Sequence, residues 1–173
     1  MQPEGLIAIG RLTKPHGLRG ALVFLPYVHD IELLPALVQR PVFLQHGLSR
    51  VQQLTLTEWR VVHKRVLIRL QGCEDLTTAE AFREHEVLIP RHWFPPLSTG
   101  EYYWFEIEGL AVYGNDGRYL GTVVEIIYTG SNDVYVVRNG TQETLIPALR
   151  DVVRTIDLEH GEIHLFTAAG LLD

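Results

Sequence analysis

The sequence predicts a mainly β chain built as two small β-barrels in tandem, with one short helix in the first. Three observations carry that expectation. Short apolar runs rich in Val, Ile, Leu and Tyr recur along the 173 residues, separated by turns bearing Gly, Asn or Pro. A proline-rich break, Pro90 to Gly100, interrupts them near the middle. The charge balance changes at the same place: 11 Lys+Arg meet 9 Asp+Glu up to Leu97, whereas 4 meet 12 from Ser98 onward. The expected partition is residues 1–91 for the first barrel, 92–101 for the linker and 102–173 for the second barrel.

In the first half, Leu6 to Leu12 alternates in part, and Gly20 to Tyr27 is β-prone until Pro26. Val42 to Leu44 is bounded by Pro41 and Gly47. Leu54 to Val62 reads as a long strand, and Val66 to Leu70 as the next. Thr77-Thr78-Ala79-Glu80 predicts a helix start, with Thr at the N-cap and Glu three residues on. Ile31 to Val38 fits only an irregular helix because of Pro35. Trp93 and Phe94, in the break, are expected to pack against a domain.

In the second half, Asn115-Asp116-Gly117 and Asn139-Gly140 mark two hairpin turns. They join Leu110–Tyr113 to Tyr119–Tyr128, and Val134–Arg138 to Glu143–Ile146. Val152–Ile156 and Ile163–Phe166 close the set. Thr129-Gly130-Ser131-Asn132-Asp133 is a sharp turn feeding a buried strand, with the Asn132 and Asp133 side chains expected to hold it. Even spacing of short strands suggests a closed barrel. Tyr102-Tyr103-Trp104-Phe105, read as an extended run, puts aromatic side chains on both faces.

Composition narrows the function classes. Hydrophobic residues make up 46% of the chain, which suits a packed globular fold. No run approaches the roughly 18 apolar residues of a membrane-spanning helix. The start, Met1-Gln2-Pro3-Glu4, has none of the basic and apolar regions of a secretory signal. Cys73 is the single cysteine, so no intrachain disulfide forms, which fits a reducing, cytoplasmic location. Glu74 and Asp75 beside it disfavour a thiolate nucleophile. The net charge of −8 in the second half favours a basic partner and opposes long-range attraction to nucleic acid.

The chain shows no zinc-protease helix motif, no Cys-x-x-Cys pair, no phosphate-binding loop and no nucleophile elbow. The eight histidines lack ligand spacing, and His63 and His160 read as turn residues. No catalytic residue, cofactor or metal site is expected. Lys14, His16 and Arg19 cluster in Lys14-Pro15-His16-Gly17-Leu18-Arg19-Gly20. They are candidate contacts for RNA phosphates. The alternative is a purely structural loop whose Gly17 and Gly20 adopt positive φ. Tyr102 and Tyr103 are candidate partner contacts, with packing at the interdomain joint as the alternative.

Several segments together resemble the ribosome maturation factor RimM family. They are Gly10 to Gly20, Tyr102-Tyr103-Trp104 with Gly109-Leu110, Thr129 to Val134, Leu145-Ile146-Pro147 to Val153, and the terminal Gly170-Leu171-Leu172-Asp173. The resemblance implies a translation-factor-like first barrel and a PRC-type second barrel. It implies a non-enzymatic factor that binds the head of the immature small ribosomal subunit. Contact is then chiefly through a basic head protein, the nineteenth of that subunit, and the factor assists ribosomal RNA processing and assembly. The family's paired tyrosines fall on Tyr102 and Tyr103. Two departures stand out: Ala21 replaces an acidic residue, and Glu106-Ile107-Glu108 replaces Asp-Leu-Ile. A direct RNA-binding module led by Lys14, His16 and Arg19 is the competing reading, and an enzyme is a third.

Overall fold

The computed structural model describes residues 5–27 and 33–166. The terminal Gly170–Asp173 segment and the start of the expected 31–38 helix lie outside them. The chain divides into two compact units, Met1–Pro96 and Leu97–Asp173.

The first unit contains strands β1 (Leu6–His16), β2 (Ala21–Pro26), β3 (Pro41–Gln45), β4 (Gln52–Val62), β5 (Arg65–Leu70) and β6 (Glu86–Pro90). Two short helices, α1 (Leu33–Leu37) and α2 (Leu76–Ala81), complete it. The strands form a closed antiparallel barrel in the order β1-β2-β5-β4-β3-β6, with β6 pairing back to β1. Leu12, Leu22 and Leu44 are fully buried in the barrel, and on β6 the consecutive Val87, Leu88 and Ile89 are buried, so that strand is covered on both faces. Each such side chain contributes roughly 1.5–3 kcal/mol of transfer free energy.

Three features differ from the sequence expectation. Strand β6, which closes the barrel, was not anticipated, because its five residues run straight into the proline-rich break. Strand β1 continues to His16 across a bulge at Leu12/Lys14, so Lys14 and His16 sit in a strand and not a loop. Helix α2 starts earlier than expected, with Asp75 and not Thr77 as the N-cap. The Asp75 carboxylate accepts from the Thr78 amide at 2.8 Å and from Thr78 Oγ1 at 3.1 Å. Those bonds hold the Asp75 carboxyl below its ordinary value. The earlier start turns Ala79 fully inward. In the former break, Arg91–Trp93 forms a 3-10 turn, Phe94 is buried, and the Arg40 guanidinium lies 5.2 Å from the Trp93 ring centre.

The second unit contains α3 (Trp104–Ile107), β7 (Ala111–Tyr113), β8 (Tyr119–Tyr128), β9 (Asp133–Asn139), β10 (Gln142–Pro147), β11 (Val153–Asp157) and β12 (Glu162–Leu165). Its sheet order is β10-β9-β8-β7-β12-β11, with a parallel β7–β12 pairing among antiparallel neighbours. The sheet curls around one core that includes Ile107, Val112, Val123, Tyr135, Ile146 and Ile163. Both expected hairpins form. Asp116 accepts from the Arg118 amide at 3.0 Å in one, and Gly140 takes φ +62° in the other.

The β8–β9 turn is held differently from the expectation. Thr129 Oγ1 accepts from the Asn132 amide at 3.2 Å and donates to the Asn132 carbonyl. The backbone of Asn132, and not its side chain, is the partner, while Gly130 supplies φ +87°. The aromatic run is also not extended. The chain enters α3 at Tyr103, whose amide donates to Glu106 at 3.0 Å. Strict alternation of faces therefore does not apply there.

Candidate functional site

Tyr102 and Tyr103 take different surroundings although they are adjacent. Tyr102 is half-buried and packs on the core of the second unit. It borders a groove of about 430 Å³ whose lining includes Ser98, Glu101, Tyr135, Arg150 and Arg154. Tyr103 stacks on Phe105 with ring centres 5.2 Å apart and planes 9° apart, and meets Trp104 edge-on at 6.3 Å. Helix α3 creates this difference, because it removes Tyr103 from the direction that Tyr102 follows.

Beyond α3 lies a crowd of acidic and phenolic groups. Partial desolvation, then Glu125, raises the Glu108 carboxyl above its ordinary range. Tyr128 is raised by desolvation, then by Asp133 and Glu108. Glu108 thus feels Glu125, and Tyr128 feels both Asp133 and Glu108. A cation placed beside Glu108 would offset the effect of Glu125 on its carboxyl. Ile127, 40% exposed on the same stretch of β8, adds apolar surface.

In the first unit, Lys14 and His16 are exposed on β1, while Arg19 lies in the 17–20 turn beside the exposed Leu18. Gly20 explains the tight turn. Its φ is +77°, and a Cβ there would lie 2.0 Å from the Cys73 carbonyl oxygen. The turn consequently abuts the backbone of Cys73 and Glu74. Cys73 itself is buried, and its Sγ donates to the Gly20 carbonyl at 3.3 Å. Burial first, and Asp75 second, push its thiol above the ordinary value. That is the opposite of what a nucleophile needs.

Among the described residues, no three His, Cys, Asp or Glu side chains converge as metal ligands do. No helix there is long and apolar enough to cross a membrane. The described residues thus define a mainly β protein of two units, each with strands folded around its own buried residues.

Comparison with known proteins gives that class a family. Residues 7–94 match the RimM N-terminal domain, and residues 104–171 match the RimM PRC barrel domain. A protein of Geobacter metallireducens named ribosome maturation factor RimM is 38% identical over 168 residues, covering 97% of this chain and 96% of its own. One of the same name from Syntrophobacter fumaroxidans is 35% identical over 173 residues, covering 100% and 97%. A crystal structure from Pseudomonas aeruginosa, described as a 16S ribosomal RNA processing protein RimM, is 30% identical and covers 92% and 96%. Its TM-score of 0.47 is too low to bear on the fold. The chain belongs to the RimM family of ribosome maturation factors.

Proposed function

We propose that this protein is a non-enzymatic, cytoplasmic factor that binds the head of the immature small ribosomal subunit through a basic ribosomal protein. The nineteenth protein of that subunit is the expected partner, and ribosomal RNA processing and assembly are the processes served. The observation that carries this reading is the ordered match of both units to the two domains of one family of ribosome maturation factors. Its physical support is the second unit: an excess of 12 Asp+Glu over 4 Lys+Arg, with Glu125 raising the Glu108 carboxyl. A basic partner offsets that effect on binding, and the free energy gained contributes to affinity. Tyr102 and Tyr103 supply aromatic surface close by, of the kind that anchors interfaces. Such a factor acts by stabilising one assembly intermediate over others and departs when the mature surface no longer fits.

Titration of the purified protein with the purified basic head protein tests this directly. Saturable binding is expected, weakened at least tenfold by Tyr102→Ala with Tyr103→Ala while thermal melting stays native. Unchanged affinity in that variant removes the tyrosines from the interface. Lost folding assigns them to packing instead.

The competing reading, direct RNA contact by Lys14, His16 and Arg19, is favoured by the exposure of Lys14 and His16 on β1. It predicts affinity for naked ribosomal RNA that falls steeply with salt.

A further inference from the structure

Strand register gathers three aromatic rings and two carboxylates on the outer face of the second unit. Thr155 on β11 is opposite His164 on β12, His164 is opposite Tyr113 on β7, and Tyr113 is opposite Tyr119 on β8. A neighbouring row runs Asp157, Glu162, Ala111 and Thr122 across the same four strands. Between the two rows, Ile163 and Val112 are fully buried in the core. Alternation therefore puts both flanking rows on the outside of the sheet.

Direct contacts tie the rows together. The Tyr113 ring stacks on His164 with centres 5.6 Å apart and planes at 20°, and meets Tyr119 at 5.6 Å and 57°. Tyr119 Oη and Thr122 Oγ1 are 2.8 Å apart. His164 Nε2 lies 2.9 Å from Glu162 Oε2 and is the donor, since an ionised carboxylate only accepts. The second oxygen of Glu162, Oε1, has no hydrogen bond among the described residues.

The face is open to a ligand. Tyr119 is 43% exposed, and the His164 and Glu162 side chains are 40% and 36% exposed. Ala111, opposite Glu162 and two residues from Tyr113, carries only a methyl group. The surface is thus lowest at Ala111, with the Tyr113 ring to one side and the Glu162 carboxylate to the other. Asp157, opposite Glu162, adds a second carboxylate. Hydrogen bonds from the His160 amide, then from its ring, hold the Asp157 carboxyl below its ordinary range, so it is charged at neutral pH. The nearest arginines in the chain, Arg118 and Arg154, adjoin Tyr119 and Thr155 at the two ends of the aromatic row and not its middle.

Ring faces beside carboxylates suit a guanidinium. Its plane lies on an aromatic ring by cation–π attraction, while its fork of donors meets carboxylate oxygens. An ammonium is a compact point charge and gains less from such a setting. An RNA base also stacks on tyrosine, but its phosphates would meet two carboxylates here and a unit with 12 Asp+Glu against 4 Lys+Arg.

We propose that Tyr113, Tyr119 and Glu162 form a docking site for an arginine side chain of a protein partner, with Ala111 as its floor and Asp157 as a further charge. The site specifies which side chain of a basic partner the second unit reads, and to that extent rests on the proposed function. Neither Tyr102 nor Tyr103 belongs to it.

The test titrates the full chain with N-acetyl-arginine amide and follows backbone amide shifts by NMR. Saturable shifts on β7, β8 and β12 are expected, and none with the neutral analogue N-acetyl-citrulline amide. Glu162→Gln is expected to weaken the arginine affinity about fivefold. If that variant melts below the wild type, Tyr119→Ala, at an exposed ring, replaces it with an expected loss of about threefold. Equal shifts with citrulline, or wild-type arginine affinity in both variants, overturn the proposal. The same shifts produced by oligouridylate would make the face an RNA platform and overturn it as well. The basic head protein is titrated in parallel. A loss of about tenfold in Glu162→Gln combined with Tyr119→Ala, with Glu74→Gln in the first unit unchanged, supports the site. Wild-type affinity for the head protein in the double variant overturns it. Arginine shifts in a wild-type protein that does not bind the head protein count against that partner, while the arginine site stands.

Discussion

Tyr135 is the residue where burial and charge most clearly meet. It is 7% exposed in the core of the second unit. Burial first, then Asp133, raises its phenol to about 12. An unfolded tyrosine ionises near 10, so the folded state holds the proton where the unfolded state has lost it. Stability from this source is complete below pH 10 and declines as pH rises from 10 to about 12. The loss is on the order of 2 kcal/mol. Urea unfolding of the Tyr135→Phe variant should show a clearly smaller fall in stability over that window. An identical fall in both proteins would place the phenol's titration elsewhere. Thr129 gives a second residue-level expectation. Its hydroxyl bridges both backbone groups of Asn132, so Thr129→Val should cost about 1 kcal/mol in thermal unfolding of the second unit. Asn132→Ala should cost much less, because that side chain does not hold the turn. The reverse order would restore Asn132 as the turn's anchor.

At the scale of elements, the β4–β5 hairpin has an unusual turn. Its two central residues, His63 and Lys64, have φ of +47° and +63°. The two-residue turn that matches strand twist requires positive φ at both places, and Asn-Gly meets that demand with least strain. Replacing His63-Lys64 by Asn-Gly should therefore raise stability by about 1 kcal/mol, read as a higher melting temperature. No gain, or a loss, would mean that the side chains themselves stabilise the hairpin. The sequence made His63 legible as a turn residue, along with most strands, because period-two patterning and Gly-bearing turns are local signals. Strand β6 was not legible. Its five residues carry no polar alternation, and only its pairing with β1 and β3 makes it a strand. Helix α3 was hidden for a different reason. Four aromatics in succession favour extended chain by propensity, whereas the Glu106 bond to the Tyr103 amide sets a helical turn.

For the whole molecule, the division of charge was legible from counting alone, and the family from motif order. The candidate site was legible in part. Tyr102 and Tyr103 adjoin in sequence but face different surroundings, which required α3 to be seen. The central claim is that protein recognition dominates. A side-by-side titration at physiological salt, with the basic head protein and with naked small-subunit ribosomal RNA, tests it most directly. Tighter binding to the head protein is the predicted result, whereas equal or tighter binding to the naked RNA would contradict the account.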